Sequence, residues 1–147
     1  MHDESVQNKE VPLKTIFIRA SLMWIAFCGL AFFNGALREV LLKNTLGILK
    51  PKANQLSCVT GIIFWTAFAY WRWPGLEIKS WGQAICVGLG WFFATLVFET
   101  FIIDRKLDWS QIVATYDVSN GQYWAFVLLW IGLLPIVLFS VSRFRRH

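Results

Sequence analysis

Arg38 and Glu39 stand side by side at the carboxyl end of a long apolar run, within Phe32-Phe33-Asn34-Gly35-Ala36-Leu37-Arg38-Glu39-Val40. An amide, a guanidinium and a carboxylate so spaced can hold an ion pair, a polar ligand or a proton. Next to hydrocarbon, ionised groups require a partner, a water-filled cavity or a side-chain route to the interface. Glu99 poses the same problem, and it follows Phe92-Phe93 by the interval that separates Glu39 from Phe32-Phe33. The recurrence is either chance in so aromatic a chain or the trace of a parallel duplication of one half as the other.

The elements that must position these groups follow from composition. The 147 residues are 56% hydrophobic and 17% aromatic, with a mean hydropathy of +0.51, which is too apolar for a soluble domain of this size. Four apolar segments, at about residues 16–37, 56–73, 83–103 and 121–141, each approach the ~20 residues that carry a helix across ~30 Å of hydrocarbon. The expectation is an all-α, four-helix transmembrane bundle forming a single integral membrane domain, behind a flexible tail over residues 1–12. Between spans three and four, Asp108 and Gln111 have capping-box spacing, followed by Trp109, Ile112, Val113 and Tyr116 at helical intervals. This predicts a short helix lying in the interface.

Punctuation fits that plan. Gly47 and Pro51 break a first loop placed over residues 41–55, and Tyr70-Trp71-Arg72-Trp73-Pro74-Gly75 combines an aromatic anchor with a helix stop. Ala31 with Gly35, Ala84 with Gly88, and Gly90 with Ala94 are small-xxx-small pairs suited to close helix approach, and Pro135 predicts a kink in the fourth span. Most of the nine tryptophans fall where interfacial aromatic belts belong. The first span is too long, and its flank too charged, for a cleaved signal peptide.

Several function classes find no footing. The formal charge of +5 is spread over termini and loops, so it points to anionic lipid headgroups and not to nucleic acid. Cys28, Cys58 and Cys86 lack metal-ligand spacing and read as small apolar packing residues. His2 and His147 are terminal, and no nucleophile motif or phosphate-binding glycine loop is present. No metal or other cofactor is implied. Counting Lys and Arg by side gives eight for the termini and second loop against six for the first and third loops, which favours cytoplasmic termini.

With odd-numbered spans running outward, Asn34, Arg38, Glu39, Gln55 and Glu99 gather at the end opposite the termini, joined by Ser57, Thr60 and the residues around Tyr116 and Asp117. The most direct expected pairing is Arg38 with Glu99, since a guanidinium grips a carboxylate bidentately. Three roles for the cluster stand open: structural glue, a ligand or ion site, and a contact surface for another membrane protein or a second copy of the chain. An acid–base pair of Glu39 and Glu99 would require the two to meet.

The run Asn34-Gly35-Ala36-Leu37-Arg38-Glu39, with Leu46-Gly47, Ala53-Asn54-Gln55-Leu56-Ser57, Thr60-Gly61, Phe98-Glu99, Asp108-Trp109 and Tyr116-Asp117, resembles a family of small bacterial inner-membrane proteins of unassigned activity. The resemblance implies four spans and a bacterial inner-membrane location, and it supplies no substrate or catalytic residue. The sequence therefore leads to an accessory or interaction protein of the membrane, with a small transporter or ligand-binding protein using Arg38 and Glu99 as the alternative. A membrane enzyme acting on lipid or envelope substrates is the third class.

Overall fold

The computed structural model describes residues 11–103 and 106–145, and these are helical almost throughout. Five α-helices follow in order: α1 (Leu13–Leu37), α2 (Lys50–Arg72), α3 (Trp81–Phe98), α4 (Trp109–Thr115) and α5 (Trp124–Phe144). Most of the tail expected over residues 1–12 lies outside the described residues, whereas Pro12 caps α1.

Local chemistry accounts for the boundaries. Between Leu37 and Gly47 there is neither glycine nor proline, and α1 does not stop. It widens into a π-helix over Arg38–Thr45 and ends only as Gly47 adopts φ +62°. The loop expected over residues 41–55 is thereby corrected to residues 46–49. Pro51 sits in the first turn of α2, where its missing N–H is no loss. Trp73-Pro74-Gly75-Leu76 then closes α2 in a 3₁₀ turn. Ser80 caps α3 through its side chain, and α3 in turn widens into a π-helix over Glu99–Ile103. The capping box that starts α4 is present in full: Asp108 accepts from the Gln111 N–H at 2.9 Å, and Gln111 accepts from the Asp108 N–H at 3.1 Å. The Gln111 N–H and then the Ser110 hydroxyl, both donating to the Asp108 carboxyl, hold it below the usual carboxylate range.

The distribution of apolar side chains is that of a membrane-associated protein. Phe17, Ile18, Leu22 and Ile25 on α1, Leu89, Phe93 and Val97 on α3, and Phe126, Leu129 and Leu133 on α5 all point outward. Such a surface would aggregate in water and is solvated by acyl chains. Three helices, α1 with its π extension, α3 with its own, and α5, are long and apolar enough to cross a membrane. The polar opening of α2, with Lys52, Asn54, Gln55, Ser57 and Thr60, lowers its apolar character below theirs.

The interior is held by close backbone approach and by indoles. A Cβ built on Gly88 of α3 would lie 2.2 Å from the Gly132 carbonyl oxygen of α5, so the two backbones touch, with Pro135 packed beside them. Ala84, one turn earlier, is fully buried. Among the small-residue pairs, that of Ala84 and Gly88 is the one in tight contact, because Gly35 and Gly90 have no neighbour within 4 Å of a would-be Cβ. Four tryptophans bridge helices through their indole N–H groups. Trp91 donates to Ala20 O at 3.0 Å and Trp65 to Phe27 O at 3.2 Å; Trp24 donates to Thr95 Oγ1 at 3.0 Å and Trp130 to Thr66 Oγ1 at 2.8 Å. Only part of the tryptophan set forms the expected belt, with Trp71 and Trp109 each 70% exposed. At the Trp71 end, Arg19 pairs with Glu77 and donates to Gly75 O, anchoring a left-handed Glu77 (φ 53°) in the turn after α2.

Replacing Gly88 by Ala is expected to destabilise the bundle by about 1–3 kcal/mol through forced separation of α3 and α5. Gly90→Ala, on open surface of the same helix, should be close to neutral. Unfolding midpoints of the two variants in detergent check the difference.

Candidate functional site

A cavity of about 390 Å³ opens where the carboxyl ends of α1 and α3 meet the amino ends of α2 and α5. That volume falls within the ~300–1,000 Å³ typical of small-molecule sites. Its wall is mainly apolar, built from Ala31, Phe32, Gly35, Trp65, Phe98 and Trp124, with Asn34, Arg38, Glu39, Ser57 and Glu99 as polar members and the free thiols Cys28 and Cys58 between them.

Of the five residues that the sequence singled out, four line this cavity: Asn34, Arg38, Glu39 and Glu99. Gln55 does not. Its amide donates to Gly121 O at 3.2 Å, fixing the start of α2 to the turn that leads into α5. At Gly121, with φ +74°, a Cβ would approach the Gln55 amide to 2.9 Å, so this position excludes a side chain on two counts.

Asn34 is the structural member of the set. It is buried, and its Nδ2 donates to both Ser57 O at 2.7 Å and Ser57 Oγ at 3.0 Å, while its Oδ1 accepts from Thr60 Oγ1 at 2.9 Å. Every polar atom of that amide is thereby used between α1 and α2, which is what a buried amide requires away from water.

Arg38 and Glu39 open the π-helical stretch after α1 and are partly exposed. The Arg38 Nε lies 3.4 Å from Glu39 Oε1, and Glu39 also takes a bond from Lys43 one turn on. The ion pair expected between Arg38 and Glu99 thus has a competitor in the adjacent carboxylate, while Glu99 faces the cavity from the start of the π turn after α3. Two π segments meeting at one cavity shift the register of the side chains that line it, as such turns do at many binding sites.

Two residues of this wall carry buried donors. Among the described residues the buried Trp124 Nε1 has no hydrogen-bond acceptor, and the buried Arg38 Nε has the Glu39 carboxylate 3.4 Å away. Trp124 breaks the pattern set by Trp24, Trp65, Trp91 and Trp130, whose indoles all find partners. Sequence reasoning missed Trp124 because its position at the start of a span is that of an ordinary belt tryptophan. Among the described residues no group of three His, Cys, Asp or Glu side chains has metal-binding geometry. Among the described residues the cavity wall carries one guanidinium, two carboxylates and aromatic faces.

Comparison with protein-family models, with curated proteins and with solved structures finds no match for this chain.

Asn34→Ala is expected to cost about 1–3 kcal/mol, because it removes the hydrogen bonds that tie α1 to Ser57 and Thr60 of α2. Unfolding by denaturant in detergent micelles checks the loss.

Proposed function

We propose that this chain is a four-span membrane protein that binds a small amphiphilic molecule in the cavity between Arg38, Glu99 and Trp124. The observation that carries this reading is a largely apolar, ligand-sized cavity whose wall also holds Asn34, Arg38, Ser57 and Glu99. A few polar side chains set in an apolar wall of this size are the usual make-up of a small-molecule site.

The spacing of polar markers supports the four crossings. At about 1.5 Å rise per residue, Arg19 to Arg38, Trp81 to Glu99 and Trp124 to Arg143 each span about 27–29 Å, close to the thickness of the hydrocarbon. Gln55 to Arg72 on α2 spans about 26 Å by the same measure, which supports α2 as the remaining crossing despite its polar start. On this reading the cavity lies at headgroup depth on one face, and α4 lies in the interface beside it. The excess of Lys and Arg on the side of the termini supports a cytoplasmic location for them in a bacterial inner membrane.

A second reading, an accessory protein that docks a partner helix or a second copy of the chain, is supported by Gly90, whose surface is open to close approach. Cross-linking from positions beside Gly90 in native membranes, if it captured one specific neighbour, would favour it.

Cys58 lines the cavity and serves as a reporter for the first reading. In detergent-solubilised Cys28→Ser, Cys86→Ser protein, added total phospholipid should slow N-ethylmaleimide labelling of Cys58 several-fold. The outward-facing Cys86, in Cys28→Ser, Cys58→Ser protein, should label at an unchanged rate. Equal labelling of Cys58 with and without lipid would remove the basis for a binding cavity.

A further inference from the structure

The two ends of the bundle differ in charge. Arg19 pairs with Glu77, Arg145 stands over the Tyr70 ring at 5.4 Å, and Trp81 packs edge to face on Phe139 at 4.9 Å, so these segments share one end. In the sequence that end, residues 1–19, 72–80 and 143–147, holds eight basic and four acidic residues. The opposite end, residues 38–60 and 99–123, holds six basic and five acidic residues. Among the described residues of the first end Glu77 is the one carboxylate, and Arg19 already pairs with it. Lys14, Arg72, Lys79, Arg143 and Arg145 have no carboxylate within ion-pair distance among the described residues.

One of these cations borders a groove. The start of α3 and the end of α5 enclose a cleft of about 320 Å³ walled by Trp81, Ser140, Arg143 and Phe144. Ser140 and Arg143 lie one turn apart on α5, which sets a hydroxyl and a guanidinium on the same wall. Trp81 and Phe144 leave large aromatic surfaces exposed beside them. Toward the middle of the helices the same faces continue as Ile85 and Leu89 on α3 and as Val137 and Leu133 on α5, all apolar and exposed. Arg143 stands one hydrocarbon thickness along α5 from Trp124, which puts its guanidinium at the depth of lipid phosphates. An acidic protein or a nucleic acid would meet the cations and leave the apolar seam bare. A zwitterionic lipid would cover the seam and gain little from the charge.

We infer that the groove between α3 and α5 seats an anionic phospholipid: phosphate oxygens accept from Arg143 and Ser140, and the acyl chains follow the seam of Ile85, Leu89, Val137 and Leu133. Lys14, Arg72, Lys79 and Arg145 supply the positive field that favours a head group of net negative charge over a zwitterionic one. Trp81 and Phe144 flank the glycerol, as aromatic residues do at the membrane interface. This site lies at the opposite end of the bundle from the cavity of Arg38 and Glu99 and does not depend on it.

Native mass spectrometry of the full-length, delipidated protein in neutral detergent tests it, with dioleoyl phosphatidylglycerol, phosphatidylethanolamine and phosphatidylcholine titrated in parallel. The first phosphatidylglycerol should bind about fivefold or more tighter than either zwitterionic lipid, as expected for one basic residue at a lipid phosphate. That margin should shrink as ammonium acetate is raised. Arg143→Gln should remove most of it, whereas Arg72→Gln, on the same end outside the groove, and Lys52→Gln, on the opposite end, should retain most of it. Should Arg143→Gln misfold, Ser140→Phe takes its place: it blocks the cleft while keeping every charge, and it should remove the margin as well. Equal binding of the three lipids overturns the anionic ligand. Equal losses from Arg143→Gln, Arg72→Gln and Lys52→Gln overturn the groove as its seat. Displacement of phosphatidylglycerol by an equal concentration of glycerol 1-phosphate overturns the lipid as the source of the phosphate. Each of these failures leaves the cavity at the other end standing, since labelling of Cys58 reads that cavity separately.

Discussion

In hydrocarbon no water waits to take a hydrogen bond, and every buried indole N–H must find its acceptor on another part of the protein. That constraint organises this bundle. Trp91 and Trp65 reach helical carbonyls of α1, Trp24 reaches α3, and Trp130 reaches α2. Each bond joins two helices at a place where apolar attraction between them is weak, since lipid tails solvate leucine as well as a neighbouring helix does. Large rings supply contact area and a single directional donor fixes the register. Aliphatic residues divide between the core, with Ile16, Val87, Ile131 and Leu134 buried, and an outward face that includes Leu22, Leu89 and Leu129.

The same constraint isolates the cavity. Gly88 against Gly132 brings α3 and α5 into backbone contact, while Asn34 ties α1 to α2 and Gln55 ties α2 to the turn before α5. The frame around the opening is thus fixed by bonds that leave no polar atom of Asn34 to spare. Arg38, paired with Glu39, and Trp124, whose buried Nε1 has no hydrogen-bond acceptor among the described residues, are set into that frame. The π turns at Arg38 and Glu99 aim both ionised residues at the opening.

Much of this was readable from the residues. Apolar runs gave the all-helical class, and the three most apolar helices lie where those runs predict. The spacing of Asp108 and Gln111 gave the cap of α4. The small pair of Ala84 and Gly88 marked a close helix contact, and four of the five polar residues picked from the sequence do share a cavity. The boundary between α1 and the first loop was misplaced because π-helix continuation has no residue signature: absence of glycine and proline permits it without announcing it. Gln55 was grouped with the site because it shares a membrane level with it, yet level along a helix says nothing about azimuth.

Composition and spacing determined that this chain is helical and membrane-associated, and where most of its helices turn. Those are one-dimensional properties, fixed by how many apolar residues fit between polar ones. Which donors are satisfied was decided by tertiary structure alone. Trp65 and Trp124 are the same residue type, and only the neighbour each meets in three dimensions gives the Trp65 indole a carbonyl on α1 and leaves the buried Trp124 Nε1 without a hydrogen-bond acceptor among the described residues.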